Sequence, residues 1–208
     1  MPRPPDALRR FSQGERWIHF SLATLFGICM LTAAMLYFAT LSTLVGHRDL
    51  VARIHFITGL LLPLPLLLGA FVSQPFRDDV RRLNRFVPDD WNWLRSRDRR
   101  TGRIPVGKFN AGQKLNSAFV AGAVLILFGT GLMLHFFGFF TDTVRTGATF
   151  VHDMQAAAVA VVAAGHMWMA WMDPGARGGL RTGFVDRRWA DAEHGAWAAE
   201  IAPAPEER

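Results

Sequence analysis

The chain has almost no cysteine and almost no tyrosine: Cys29 and Tyr37 stand alone among 208 residues. A single cysteine excludes a disulfide within the chain, a C-x-x-C-H haem attachment site and a cysteine-ligated iron–sulfur cluster. Any metal centre here therefore depends on histidine, or on a cofactor that histidine holds. There is no internal repeat and no separate soluble domain. Charge is nearly absent from four stretches, Trp17–Leu44, Leu50–Val72, Leu115–Phe140 and Thr149–Met172. Each is long enough to cross a hydrocarbon core of about 30 Å, which needs ~20 helical residues. The first follows Arg9, Arg10 and Arg16 as a signal peptide would. Its apolar run is much longer than the roughly 7–15 residues of a signal core, so it is expected to be a retained span. Pro63 and Pro65 should kink the second span. The expected fold is an all-α membrane protein: a four-transmembrane-helix bundle with a cytoplasmic interfacial helix and loop between helices 2 and 3.

The net charge of +6 raises the question of nucleic acid, and the placement of the basic residues answers it. Four precede the first span, eleven lie between Arg77 and Lys114, and five follow the fourth span. Only Arg48, Arg53 and Arg145 fall on the other side. By the positive-inside rule both termini and the central loop are cytoplasmic, and the basic excess needs no acidic partner beyond lipid headgroups. Residues 1–15 read as a mobile cytoplasmic arm. Residues 16–175 form the membrane domain, with its cytoplasmic loop at about 74–113. Residues 176–208 form a cytoplasmic, surface-lying tail that ends in the disordered APAPEER. Within the loop, Phe76, Val80, Leu83 and Val87 recur near helical spacing between arginines, predicting a short interfacial helix with Trp91 and Trp93 at headgroup depth. RSRDRRTGRIPVG is a polar turn region, and DPGARGG is expected to stop the fourth span.

Seven histidines are present, and an ionisable residue within a span is by default functional. His47 in the outer loop and His194 in the tail are expected to be solvated. Topology sorts four others by depth: His19 and His166 near the cytoplasmic side, His55 and His152 near the outer side. His152 and His166 lie fourteen positions apart. At ~100° per residue they return to within roughly 40° of one direction, and the rise is about 21 Å. Two stacked b-type haems, each taking one histidine from this helix and one from another, suit that geometry; both axial positions would then be filled. Each of the four has a small residue one turn later (Ala23, Gly59, Ala156, Ala170), whereas His135, a rival for the outer site, has Phe139. Arg53 is either a haem propionate partner or an ordinary interfacial arginine. Zinc is disfavoured, since two ligands per site are too few.

Several motifs resemble one known family. They are RWIH at 16–19, RIHFITG at 53–59, GKFNAGQK at 107–114, the His152–His166 spacing followed by HMWMAW, and a tail with VDRRWA and HGAW. Over about residues 15–197 the chain resembles the cytochrome b (gamma) subunit of membrane-bound formate dehydrogenases, within the wider bacterial cytochrome b561-like group. The resemblance implies that His19 and His166 ligate a cytoplasmic-side haem, and His55 and His152 an outer-side haem. It also implies that Asn110, Gly112 and Gln113, with His166 adjacent, form a quinone site for menaquinone or ubiquinone. Asn110 and Gln113 can donate hydrogen bonds to a quinone carbonyl and Gly112 permits close approach; alternatively NAGQK is only the first turn of a helix capped by Asn110. The family's tail has consecutive histidines where this chain has Glu193-His194, which leaves the tail's role open. The implied protein is the membrane anchor and quinone-reducing, electron-transfer subunit of an oligomeric complex in the bacterial inner membrane. Its partners would be an iron–sulfur (beta) subunit and a molybdenum or tungsten catalytic (alpha) subunit. Other readings are the cytochrome b of a nickel–iron hydrogenase or another periplasmic oxidoreductase, and a haem-free anchor whose histidines serve packing or proton transfer.

Overall fold

The computed structural model describes residues 6–97, 99 and 102–201; the APAPEER segment lies outside them. In chain order the elements are β1 (Leu8–Arg9), α1 (Gln13–Tyr37), α2 (Ala39–Val45), α3 (Arg48–Leu61), α4 (Leu64–Val72), α5 (Gln74–Leu83), α6 (Pro88–Arg95), α7 (Ala111–His135), α8 (Asp142–Met172), α9 (Pro174–Thr182), β2 (Phe184–Val185), α10 (Arg187–Glu193) and α11 (Gly195–Ile201). Four helical segments are long and apolar enough to span a membrane: Gln13–Tyr37, Arg48–Val72, Ala111–His135 and Asp142–Met172. The four-span expectation is met. Its first stretch is divided, because Phe38 adopts an extended conformation and separates α1 from α2. The second breaks where expected, at Leu62 and Pro63. Pro63 has no N–H to continue the ladder, and Leu62 bonds back only to Gly59, at 3.2 Å.

The chain divides into two compact units. One comprises Trp17–Ser73 and Phe119–His166 and holds most of the apolar helices. Its core is thin and holds small side chains, Ala123, Val124, Ala148 and Val159 among them, with Thr58 also buried and donating to the Ile54 carbonyl of its own helix at 2.7 Å. Large apolar groups point outward instead: Phe71 is 81% and Leu125 72% exposed. A water-soluble unit would not present contiguous surface of this kind; in hydrocarbon it is the favourable arrangement. The chain is an integral membrane protein.

The other unit comprises Met1–Arg16, Gln74–Ala118 and Met167–Arg208, and here several expectations are corrected. From Leu8 the N-terminal arm is not loose: β1 pairs antiparallel with β2, Leu8 opposite Val185 and Arg9 opposite Phe184. The tail is not merely surface-lying, because Val185, Ala190, Trp197 and Ala198 form a buried core joined by Leu8 and Trp189. The fourth span ends at Met172, before DPGARGG, as expected, but DPGARGG itself opens a further helix. Asp173 caps a new helix by accepting from Ala176 N at 2.9 Å, and Pro174 takes the first-turn position where its missing N–H costs nothing. The glycines serve packing: a side-chain carbon at Gly179 would stand 2.6 Å from Val185 Cγ1, and one at Gly175 would collide with the Trp189 ring. The expected interfacial helix is two helices, α5 and α6, and Val87 is the residue that starts the second.

His194, expected to be solvated, is 2% exposed. Its Nδ1 lies 2.7 Å from the Gly107 carbonyl, which can only accept, so Nδ1 carries the proton and Nε2 accepts from Arg10 Nη2 at 3.0 Å. Arg10 also donates to the Lys108 carbonyl at 2.8 Å and lies over the Trp189 and Trp197 rings. Burial lowers its guanidinium to about 10, while Asp173 and Asp79 favour the charged form.

Candidate functional site

The four span histidines come together as two pairs within the first unit. The His19 and His166 ring centroids are 6.4 Å apart, with planes at 44°. Those of His55 and His152 are 6.2 Å apart, at 71°. Two metal–nitrogen bonds of about 2 Å, plus about 1.1 Å from each nitrogen to its ring centre, span roughly 6.3 Å. Both pairs therefore have the separation of two imidazoles on opposite faces of one metal. His152 and His166 lie on the single continuous helix α8, about 21 Å apart along its axis. Among the described residues no group of three or more His, Cys, Asp or Glu side chains could hold a bare ion. Two axial imidazoles suit a group that brings its own equatorial ligands, which a haem does. A carbon added at Gly59, one turn on from His55, would meet nothing within 4 Å, so the helix face there is open.

The rival His135 is occupied elsewhere, stacked on Phe56 at 3.5 Å and 9°. His47 is exposed, as expected. Arg53 is exposed and borders a depression at the start of α3 with His47, Arg48 and Asp49.

Two side chains that contact the paired histidines escaped the sequence reading. Thr32 Oγ1 of α1 lies 2.9 Å from His55 Nδ1, and Thr130 Oγ1 of α7 lies 2.8 Å from His152 Nδ1. All four spanning helices thus contribute to the His55–His152 pair. The available signal was depth: of the hydroxyls on these helices (Ser21, Thr24 and Thr32 on α1, Ser117 and Thr130 on α7), Thr32 and Thr130 lie at the level assigned to these histidines. His19 differs, because its Nδ1 is buried with no hydrogen-bond partner among the described residues.

In the second unit, GKFNAGQK forms the start of α7. Gln113 N donates to Asn110 Oδ1 at 2.9 Å and Asn110 N to Gln113 Oε1 at 3.0 Å, a reciprocal capping box. The helix-start reading of Asn110 holds. It does not compete with ligand binding, since the cap uses both carbonyl oxygens and leaves the two NH2 groups as donors. A carbon at Gly112 would crowd Trp93 Cη2 at 3.2 Å and Asn110 Oδ1 at 3.3 Å, so a larger residue would have to shift the Trp93 ring that lies on this turn by a few tenths of an ångström. A cavity of about 210 Å³ opens beside Asn110, among Trp93, Val106, Phe109, Arg82 and Arg85.

The two lysines of the motif fasten other helix starts to this turn. Lys114 Nζ donates to Asp90 Oδ2 at 2.6 Å, and Asp90 also accepts from Val87 N at the start of α6. Lys108 Nζ donates to Asp79 at 2.6 Å and to Glu15 at 3.2 Å. Glu15 completes a capping box with Ser12 at the start of α1. Two buried carboxyls thus share one ammonium. Burial first, then the hydrogen bond with Glu15, push Asp79 from 3.8 up to about 8, with Lys108 acting against them. Because the folded value is the higher one, this contribution to stability is whole below about pH 4 and is lost as pH rises towards 8. Thermal unfolding followed by tryptophan fluorescence should show stability declining between about pH 4 and about pH 8, and Asp79→Asn should flatten that decline.

Comparison with known proteins agrees with this architecture. The family model for prokaryotic cytochrome b561 matches residues 10–177, an interval that contains both histidine pairs, both threonines and the capped turn. The nitrate-inducible formate dehydrogenase cytochrome b556(Fdn) subunit of Escherichia coli (strain K12) is 27% identical over 200 residues, covering 90% of this chain and 88% of that protein. The formate dehydrogenase cytochrome b556 subunit of Haemophilus influenzae is 25% identical over 192 residues, covering 88% and 78%. Four apolar helices carrying paired histidines, together with a family match over most of the length, place the chain in the prokaryotic cytochrome b561 family, whose members are b-type cytochromes.

Proposed function

We propose that this chain is the di-haem cytochrome b subunit of a formate dehydrogenase-type complex. It would take electrons from an iron–sulfur subunit at the outer membrane face and deliver them to quinone near the cytoplasmic face. The observation that carries this reading is the equal, metal-spanning separation of the two histidine pairs. Bis-histidine haem supplies one-electron transfer with no open axial position. His55 and His152 hold one haem and His19 and His166 the other, with Arg53 available to a propionate of the former. The Asn110 and Gln113 amides offer donors to a quinone carbonyl, and Gly112 and Trp93 shape the approach. The basic loop and tail support a topology with both termini in the cytoplasm of a bacterial cell, where protons for quinol formation are available. Substrate oxidation belongs to a separate molybdenum or tungsten subunit.

Gln113→Ala removes one cap acceptor and one candidate donor. In the purified complex, both haems of this variant should still be reduced by dithionite, while their reoxidation by added quinone slows by at least about tenfold. Unchanged reoxidation would remove Gln113 from the site. Co-purification of a nickel subunit in place of a molybdenum or tungsten one would favour the hydrogenase reading.

A further inference from the structure

The two histidine pairs differ in one respect, and it concerns the hydroxyls beside one of them. A threonine hydroxyl has one proton to give and two lone pairs to offer. Thr32 Oγ1 lies 2.7 Å from the Ile28 carbonyl, and Thr130 Oγ1 lies 2.7 Å from the Ile126 carbonyl. Carbonyl oxygens only accept, so each hydroxyl spends its proton on its own helix, the usual bond of a threonine in an apolar helix. The nearby imidazoles, at 2.9 and 2.8 Å, must then be the donors. Nδ1–H is therefore the tautomer of both His55 and His152, and each Nε2 keeps its lone pair for a metal. No such acceptor serves His19, whose buried Nδ1 has no partner among the described residues.

We infer that Thr32 and Thr130 are positioning residues that fix this tautomer and lower the midpoint potential of the haem between His55 and His152 relative to the other. An acceptor on Nδ1–H makes the ligating nitrogen more basic, which favours the oxidised iron over the reduced. Downhill transfer then runs from the His55–His152 pair to the His19–His166 pair, the direction that quinone reduction at the cytoplasmic side requires. The inference rests on the di-haem reading above.

The test is a potentiometric titration of the b-type absorbance in the purified complex, comparing wild type with Thr32→Val and Thr130→Val, which keep the side chain's shape without its hydroxyl. Outer-shell partners of this kind are worth about tenfold or more in metal binding. Tenfold in the oxidised-to-reduced ratio corresponds to about 59 mV for a one-electron couple. The lower-potential wave should rise by that order in each variant while the higher wave stays in place, and Thr130→Ser should restore the lower value. Either of two results overturns the inference: an unmoved lower wave, or Ser and Val variants that behave alike and so report packing only. If valine at both positions empties the site, the single variants carry the measurement, since each leaves one ligand anchored. A wild-type complex titrating as one haem would instead defeat the di-haem reading itself.

Discussion

Replacing His152 by alanine should halve the haem of the purified protein, from two per chain to one, as measured by the pyridine haemochrome spectrum. The argument is geometric. His152 and His55 face each other at a separation of 6.2 Å, and loss of either ring leaves the iron one axial ligand short. His166, about 21 Å further along the same helix, keeps its own partner, so the second haem should remain. Substrate-driven quinone reduction should fall to background while the His19–His166 haem still accepts electrons from dithionite. His19→Ala should give the complementary result, with the opposite haem surviving. Retention of both haems in either variant would favour a haem-free role for these histidines, and His135, stacked on Phe56, would serve as the negative control.

Lys114→Ala should produce the largest loss of stability. Its Nζ pairs with Asp90 at 2.6 Å and also bonds the Arg85 carbonyl at 2.9 Å, and the two side chains of the pair are less than a tenth exposed. Removing the ammonium strands a buried carboxylate, which costs about 3–5 kcal/mol. Adding Asp90→Asn should recover much of that loss, because the stranded charge rather than the missing bond accounts for most of it. Glu200→Ala provides the contrast. The Arg82–Glu200 pair is close to half exposed on both sides, and its removal should cost about 0–1 kcal/mol. Midpoints of thermal or denaturant unfolding would rank the three. Equal losses for Lys114→Ala and Glu200→Ala would contradict the account of a buried lock.

The histidine pairs were legible in the sequence because a membrane converts position along a helix into depth. His152 and His166 fixed two levels, and His19 and His55 matched them. The capped turn at Asn110 was legible because its two partners lie three positions apart. The threonines were not, since their helices carry other hydroxyls as well (Ser21, Thr24 and Ser117) and depth alone does not say which of them faces a histidine. Longer-range partnerships left still less trace: Lys108 meets Glu15 across 93 positions and Arg10 meets His194 across 184. Periodicity reports which face of an element is apolar, not which distant element will cover it. The α9 helix was misread for a related reason. Three glycines normally count against a helix, but here Trp189 and Val185 fill the space that side chains would have taken.

The β1–β2 ladder has a consequence for the order of assembly. Leu8 is synthesised well before its partner Val185, so this two-residue strand waits while the intervening chain is made and threaded into the bilayer. The Arg10–His194 bond waits longer still. Closing so long a loop is slow, and its entropy is recovered only when the Trp189 and Trp197 core assembles around it. The second unit is thus completed only after the apolar helices that bear the histidines have been made.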